Sequence, residues 1–234
     1  MPIKNQFNTY AKDYDKHNII QKIIAKSLLK DVINKPKNIL ELGCGSGQIF
    51  KNISWDINSY EAVDLAPKMC ELHPRKKNIN ISCFDFDSKE FKEHFKNSYC
   101  DAIISSSALQ WSKDLDTLLK FLSTLSNYFY ASAFTSNTFK SMQNISKQKS
   151  PILSKNELKE SFSKYFEVSF EEHSYNLHFE SKKEMFGYLK KSGVNVKSEL
   201  DFASARYLYE NYKQDFLEFE VLFVKAKSKT KIFL

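Results

Sequence analysis

The stretch Asn38-Ile39-Leu40-Glu41-Leu42-Gly43-Cys44-Gly45-Ser46-Gly47 sets a short apolar run directly against three of the five glycines in a chain of 234 residues. An apolar run of this length closed by glycine reads as a buried strand, and residues 47–53 read as the helix that follows it. Glycines between a strand and a helix permit a tight turn and let the backbone come close to a ligand. The spacing is GxGxG. A dinucleotide fingerprint needs a further glycine three residues after the second, and that place holds Gln48.

Working outward, Ile19, Ile20, Ile23, Ile24, Leu28 and Leu29 recur at helical spacing and predict an amphipathic helix over 18–33, stopped by Lys35-Pro36. Downstream, strand candidates at 59–63, 78–84, 101–105 and 127–134 alternate with helical segments, notably 115–125. Such alternation implies βαβ units, hence an α/β fold with a doubly wound, mostly parallel sheet. The second half predicts a helix over 154–166, a strand over 168–177, helices over 182–191 and 202–212, and a last strand over 216–226. Residues 1–234 are expected to form one domain: an N-terminal helical cap over 1–35, a possible lid over 136–150, and a loose basic tail over 227–234.

Three acidic residues stand at successive strand ends. Asp64 closes the candidate SYEAVD, where a carboxylate can accept both hydroxyls of an adenosine ribose. Asp85 follows INISCF and is placed for an adenine amino group, with Phe84 or Phe86 near the ring. Glu41, two residues before Gly43, is placed to bond the loop amides or to lie near a ligand amine.

Bulk properties bound the function. With 35 Lys plus Arg against 28 Asp plus Glu, the net charge is +7, yet only Arg75 and Arg206 are arginines. Bidentate recognition of phosphates and bases favours arginine, so nucleic acid is an unlikely partner and a lysine surface facing water or an acidic partner is the better reading. The cysteines at 44, 70, 83 and 100 form no CxxC pair, and no histidine spacing points to a metal; free thiols and no metal site are expected. No run approaches the length of a membrane span, and the first residues lack the pattern of a signal peptide, so a soluble cytoplasmic protein is expected.

The sequence Glu41-Leu42-Gly43-Cys44-Gly45-Ser46-Gly47 resembles the first motif of class I S-adenosylmethionine-dependent methyltransferases. Further segments resemble one branch of them, the BioC-type malonyl-acyl carrier protein O-methyltransferases of biotin synthesis. These are the opening FNTYAKDYDKHNIIQK with Phe7, Tyr14, Asp15, His17 and Gln21, then Asp64-Leu65-Ala66-Pro67-Lys68-Met69, then Ala108-Leu109-Gln110-Trp111, and Met185 through Asn195. The chain departs from that pattern at Ser106, where relatives carry an asparagine, and at Gly187.

The resemblance implies a seven-stranded Rossmann-like sheet with a helical insertion before the last strand. It implies S-adenosylmethionine held by Glu41, Gly43, Cys44, Gly45, Gly47, Asp64, Leu65, Met69, Asp85, Phe86 and Ser105. It implies an acceptor pocket walled by Tyr14, His17, Gln110 and Trp111, with Tyr10 beside them, and an acidic acyl carrier protein as the substrate's carrier. Methylation of a small metabolite, an RNA-directed role and a non-enzymatic module are the competing expectations.

Overall fold

The computed structural model describes residues 4–5, 7–9, 11, 17–191 and 201–230. After helix α1 (Ile19–Lys30) the chain alternates: β1 (Asn38–Leu42), α2 (Gln48–Asn52), β2 (Ser59–Asp64), α3 (Pro67–Leu72), β3 (Ile79–Cys83), α4 (Lys89–Phe95) and β4 (Ala102–Ser106). A 3-10 turn (Leu109–Trp111), α5 (Leu115–Leu122), β5 (Tyr128–Phe134), α6 (Lys140–Ser146) and α7 (Lys155–Tyr165) follow. The chain then runs through β6 (Phe166–His178), α8 (Lys182–Lys191), α9 (Phe202–Asn211) and β7 (Phe216–Ser228).

These strands form one seven-stranded sheet in the order β3-β2-β1-β4-β5-β7-β6. The first five are parallel, and β7 runs antiparallel between β5 and β6. Strand order therefore reverses between β1 and β4, the kind of switch point at which open α/β sheets bind ligands.

Strand alternation sorts the side chains into two layers. Ile39, Tyr60, Ala62 and Ile104 pack with Ile20, Ile24 and Leu28 of α1 on one face. Leu40, Leu42, Val63 and Ile103 pack with Phe91, Leu118, Leu122 and Phe162 on the other. Each fully buried Leu, Ile or Phe in these layers contributes about 1.5–3 kcal/mol. Helix starts carry side-chain caps: Ser88 accepts from the Phe91 N–H and Asp114 from the Thr117 N–H, and Ser154 forms a capping box with Glu157.

One expectation is corrected. Residues 227–228 of the supposed tail belong to β7, and Lys229 continues the order, its N–H donating to the Tyr165 carbonyl. The stretch 136–150, expected as a possible lid, holds α6. Its start runs along the part of β7 that projects past β5, with the Thr135 N–H on the Glu220 carbonyl at 3.0 Å and the Phe139 N–H on the Glu218 carbonyl at 2.8 Å. Glu220 also accepts from the Thr135 hydroxyl and the Asn137 amide, while Glu218 accepts from the Ser141 N–H and hydroxyl. Phe139 holds a left-handed φ of 60° and is buried against Phe219. Sequence periodicity is blind to these carboxylates, which lie about eighty residues away from the segment they pin.

Glu220→Ala strips the hydrogen-bond acceptor from Thr135 and Asn137. A loss of about 1–3 kcal/mol is expected, read as a lower urea midpoint with an unchanged slope.

Among the described residues no helix is long and apolar enough to cross a membrane.

Candidate active site

The loop 43–47 leaves β1 and the loop 107–111 leaves β4, on either side of the switch point. They touch: a Cβ built on Gly43 would lie 2.2 Å from the Ala108 Cβ, and Gly43 itself has φ +71°. Only glycine satisfies both constraints. Gly47, with φ +82°, is equally confined, since its Cβ would meet Pro74 Cδ at 2.6 Å and the His73 ring at 3.0 Å. Gly45 differs. Its φ is +52°, but nothing lies within 4 Å of the place a Cβ would take. The loop is therefore packed from below at its two ends and open at its middle.

The backbone amides of this loop are turned inward. The Gly43 and Cys44 N–H groups both donate to the Val63 carbonyl, at 2.8 and 3.0 Å, and the Gly47 N–H donates to the Cys44 carbonyl at 2.9 Å. The Gly45 N–H donates to Asp64 Oδ2 at 2.9 Å. A pyrophosphate cradle needs such groups free. This loop instead offers close approach at Gly45, which suits a ligand without phosphate.

Asp64 ends β2 beside the loop. Its Oδ1 accepts the Ala66 N–H at 2.8 Å, so the carboxylate ties β2, the start of α3 and the glycine loop together. Burial pushes its carboxyl up to about 6, opposed by the two backbone bonds. Each carboxylate oxygen keeps a second lone pair, enough for two further donors.

Glu41 does not serve the loop amides. Its side chain follows Ile39 onto the α1 face, where it is 2% exposed and Oε2 accepts the Tyr60 hydroxyl at 2.6 Å. His73 Nε2 stands 3.8 Å from the same oxygen. Burial raises the Glu41 carboxyl above its usual range, against the pull of His73 and Tyr60.

A model of the methyltransferase domain family matches residues 40–125, which run from β1 to just beyond α5. Malonyl-[acyl-carrier protein] O-methyltransferase from Calditerrivibrio nitroreducens is 28% identical over 229 residues, covering 91% of this chain and 89% of that one. The enzyme of the same name from Anoxybacillus flavithermus is 32% identical over 114 residues, covering 47% of this chain and 42% of that relative. The chain thus matches less than half the length of this second relative. YcgJ from Bacillus subtilis superimposes with a TM-score of 0.63 at 12% identity, over 88% of this chain and 99% of that one, a likeness of fold. The strand order, the inward-turned GxGxG loop and a relative aligned along nearly the whole chain agree. Residues 40–125 are thus similar to the methyltransferase domain family, within a fold shared with solved S-adenosylmethionine-dependent methyltransferases.

The remaining site expectations fall on this chain unevenly. Asp85 lies just past β3, partly buried, with Oδ2 2.9 Å from Lys113 Nζ. Phe86 is half-buried against the Leu-rich layer, and Leu65 stays partly exposed beside Asp64. Met69 is fully buried, packed with Ala66 and Ala11 of the N-terminal segment. That segment is also tied to α3, where the Lys68 N–H donates to Asn8 Oδ1 at 3.2 Å. His17 is half-buried ahead of α1. Tyr10 and Tyr14 lie outside the described residues.

Ser105 is a correction. It is fully buried and its hydroxyl donates to the Leu42 carbonyl at 3.0 Å, so it fastens β4 to β1 instead of facing a cleft. Cys44 is likewise buried, and burial pushes its thiol well up, which leaves it a packing residue in the loop.

Gln110 is 3% exposed, with Nε2 donating to the Ser107 carbonyl at 2.7 Å; the carbonyl fixes which way the amide points. Its Oε1 is buried without a hydrogen-bond partner, as is the Ser107 hydroxyl, and Ser107 holds a left-handed φ of 57°. What Gln110 offers is an acceptor, which fits a ligand N–H and not a carboxylate. Trp111 beside it is half-buried.

Sequence reasoning missed Asp87. Its carboxylate accepts from the Ser112 hydroxyl and the Lys113 N–H, each at 2.7 Å, and together with Asp85 it joins the loop after β3 to the turn after β4. It missed His73 as well; neither residue carries a local pattern. Among the described residues no three His, Cys, Asp or Glu side chains gather as metal ligands.

Proposed function

We propose that this methyltransferase transfers a methyl group from S-adenosylmethionine to the free carboxylate of malonyl-acyl carrier protein, as a step of biotin synthesis in the cytoplasm. One observation carries the choice of acceptor: the near full-length similarity to the Calditerrivibrio nitroreducens protein of that name. The residues present fit the cofactor. Gly45 leaves open the space that a side chain would fill, and Asp64 keeps lone pairs for two ribose hydroxyls. We assign Asp85 and Phe86 to the adenine, and Leu65 and Met69 to the floor next to Asp64. Gln110 Oε1 takes a donor such as the cofactor's ammonium. When bound, the cofactor supplies an electrophilic sulfonium methyl.

The acceptor carboxylate is ionised at neutral pH, so no side chain has to remove a proton. The protein's task is to hold both reactants in line and exclude water. We assign that task to Trp111 and Gln110 at the end of β4 and to Tyr14 and His17 of the N-terminal segment. Lysine in excess favours an acidic carrier by long-range attraction.

Incubation with S-adenosylmethionine and malonyl-acyl carrier protein, followed by intact mass measurement, tests the proposal. The expected result is a carrier heavier by one CH2 that reverts on mild ester hydrolysis. Methylation of free phenols or small carboxylic acids with an unchanged carrier would sink it.

A further inference from the structure

Strands β3 and β4 are not neighbours. In the sheet β2 and β1 lie between them, and at about 4.8 Å per strand their axes stand about 14 Å apart. The segments that leave them nevertheless meet, and Asp87 makes the junction. Its Oδ1 accepts the Ser112 hydroxyl and its Oδ2 the Lys113 N–H, each at 2.7 Å. The Asp87 N–H donates in turn to Asp85 Oδ1 at 3.0 Å, which ties Asp85 to the same turn.

The junction closes a ring of contacts. The Gly45 N–H reaches Asp64 at the end of β2. The Asp64 carbonyl accepts the Phe84 N–H just past β3. Asp87 joins that segment to the turn after β4, and Ala108 at the start of that turn stands against Gly43. All these links join segments that leave the C-terminal ends of β1 to β4.

Little slack remains on either side of Asp87. Ser88 caps α4 and Asp114 caps α5, so both joined stretches run directly into a fixed helix start. Asp85 and Phe86 immediately precede Asp87. Trp111 immediately precedes Ser112, in a 3-10 turn closed by the Ser112 N–H on the Leu109 carbonyl at 3.0 Å. Lys113 also reaches Asp85, with Nζ 2.9 Å from Oδ2, but its side chain is 76% exposed and an ion pair so open to water contributes little. The backbone of Lys113, not its charge, carries the junction.

We propose that Asp87 is a positioning residue for methyl transfer: its two hydrogen bonds fix Trp111 relative to Asp85 and Phe86, and so the acceptor relative to the cofactor. The inference rests on the assignment of Asp85 and Phe86 to the adenine and of Trp111 to the acceptor's wall. Asp87 acts through its partners, so its loss spoils alignment more than cofactor binding.

Two measurements on the full chain test it. The chain holds two tryptophans, Trp55 and Trp111, and fluorine NMR of protein carrying 5-fluorotryptophan reports on each, with Trp55→Phe assigning the signals. In cofactor-free Asp87→Ala the Trp111 signal is expected to shift or broaden while that of Trp55 stays. Asp87→Asn keeps an oxygen for the Lys113 N–H and turns an amide N–H to the Ser112 hydroxyl, which can accept it, so it should restore the wild-type signal. Ser112→Ala breaks the junction from the other side and should move Trp111 as well; it carries the same readings should Asp87→Ala not fold.

In methyl transfer to malonyl-acyl carrier protein, Asp87→Ala should lower kcat about tenfold or more, while calorimetric affinity for S-adenosylmethionine changes by less than about threefold. Asp87→Asn should recover most of that kcat, and Lys113→Met should stay within about twofold of wild type. The proposal is overturned if the Trp111 signal is unmoved by both Asp87→Ala and Ser112→Ala, or if Lys113→Met lowers kcat as much as Asp87→Ala does. If wild type methylates no carrier, the reading of the acceptor fails, and the Trp111 signal still decides whether Asp87 holds that turn.

Discussion

Gly45→Arg is expected to abolish S-adenosylmethionine binding and leave the protein folded, whereas Gly43→Ala, the smaller change, is expected to damage the fold itself. The contrast follows from what surrounds each position. At Gly45 a side chain meets nothing within 4 Å, so an arginine extends into the open side of the loop and fills the space assigned to the cofactor. Its only structural cost is the left-handed φ of +52°, roughly 1–2 kcal/mol. Binding should weaken by more than about 100-fold.

At Gly43 a methyl group would sit 2.2 Å from the Ala108 Cβ, less than the separation of any two non-bonded carbons. The β1 and β4 loops would have to separate, adding about 1–3 kcal/mol to the cost of its own φ of +71°. Thermal unfolding and calorimetry on both variants separate the two effects. A Gly43→Ala protein that melts like wild type would contradict the contact between the loops.

The second large effect is expected at Asp64. Asp64→Asn keeps the volume, but an amide has one oxygen for the Gly45 and Ala66 N–H groups and presents its own N–H to the other. It also loses the charge that strengthens bonds from ribose hydroxyls, each worth about 1.5–3 kcal/mol. Affinity should fall about 100-fold or more.

The same carboxyl sets an acid limb. Because burial raises it to about 6, the stability it contributes to the free protein is present in acid and is lost as pH rises through about 6. Cofactor binding needs the opposite, ionised form, so affinity should fall as pH drops below about 6, with proton uptake suppressed and protons released on binding there. Calorimetry in buffers of different ionisation enthalpy measures that release. Asp64→Asn should bind without it.

Local pattern made much of this legible. The apolar run at 38–42 ends in glycines because a buried parallel strand must turn sharply, and Gln48 by itself distinguishes this loop from a dinucleotide turn. The positions of Asp64 and Asp85 at neighbouring strand ends could be read because strand ends in a doubly wound sheet share one edge.

Glu41 could not. Sequence gives its distance from Gly43, but its direction depends on strand alternation, and its partners Tyr60 and His73 arrive from β2 and the end of α3. Ser105 failed for a related reason: a strand-end serine looks like a ligand contact until a neighbouring strand's carbonyl claims its hydroxyl. The Asp87 and Glu220 contacts link segments about 25 and 85 residues apart, a separation that no periodicity reports.

The central claim is that the open glycine loop and Asp64 together hold S-adenosylmethionine. Calorimetric titration of the purified chain at neutral pH tests it most directly. One cofactor per chain in the wild type, with no measurable binding to Gly45→Arg, is the predicted result; equal binding by the two proteins would contradict it.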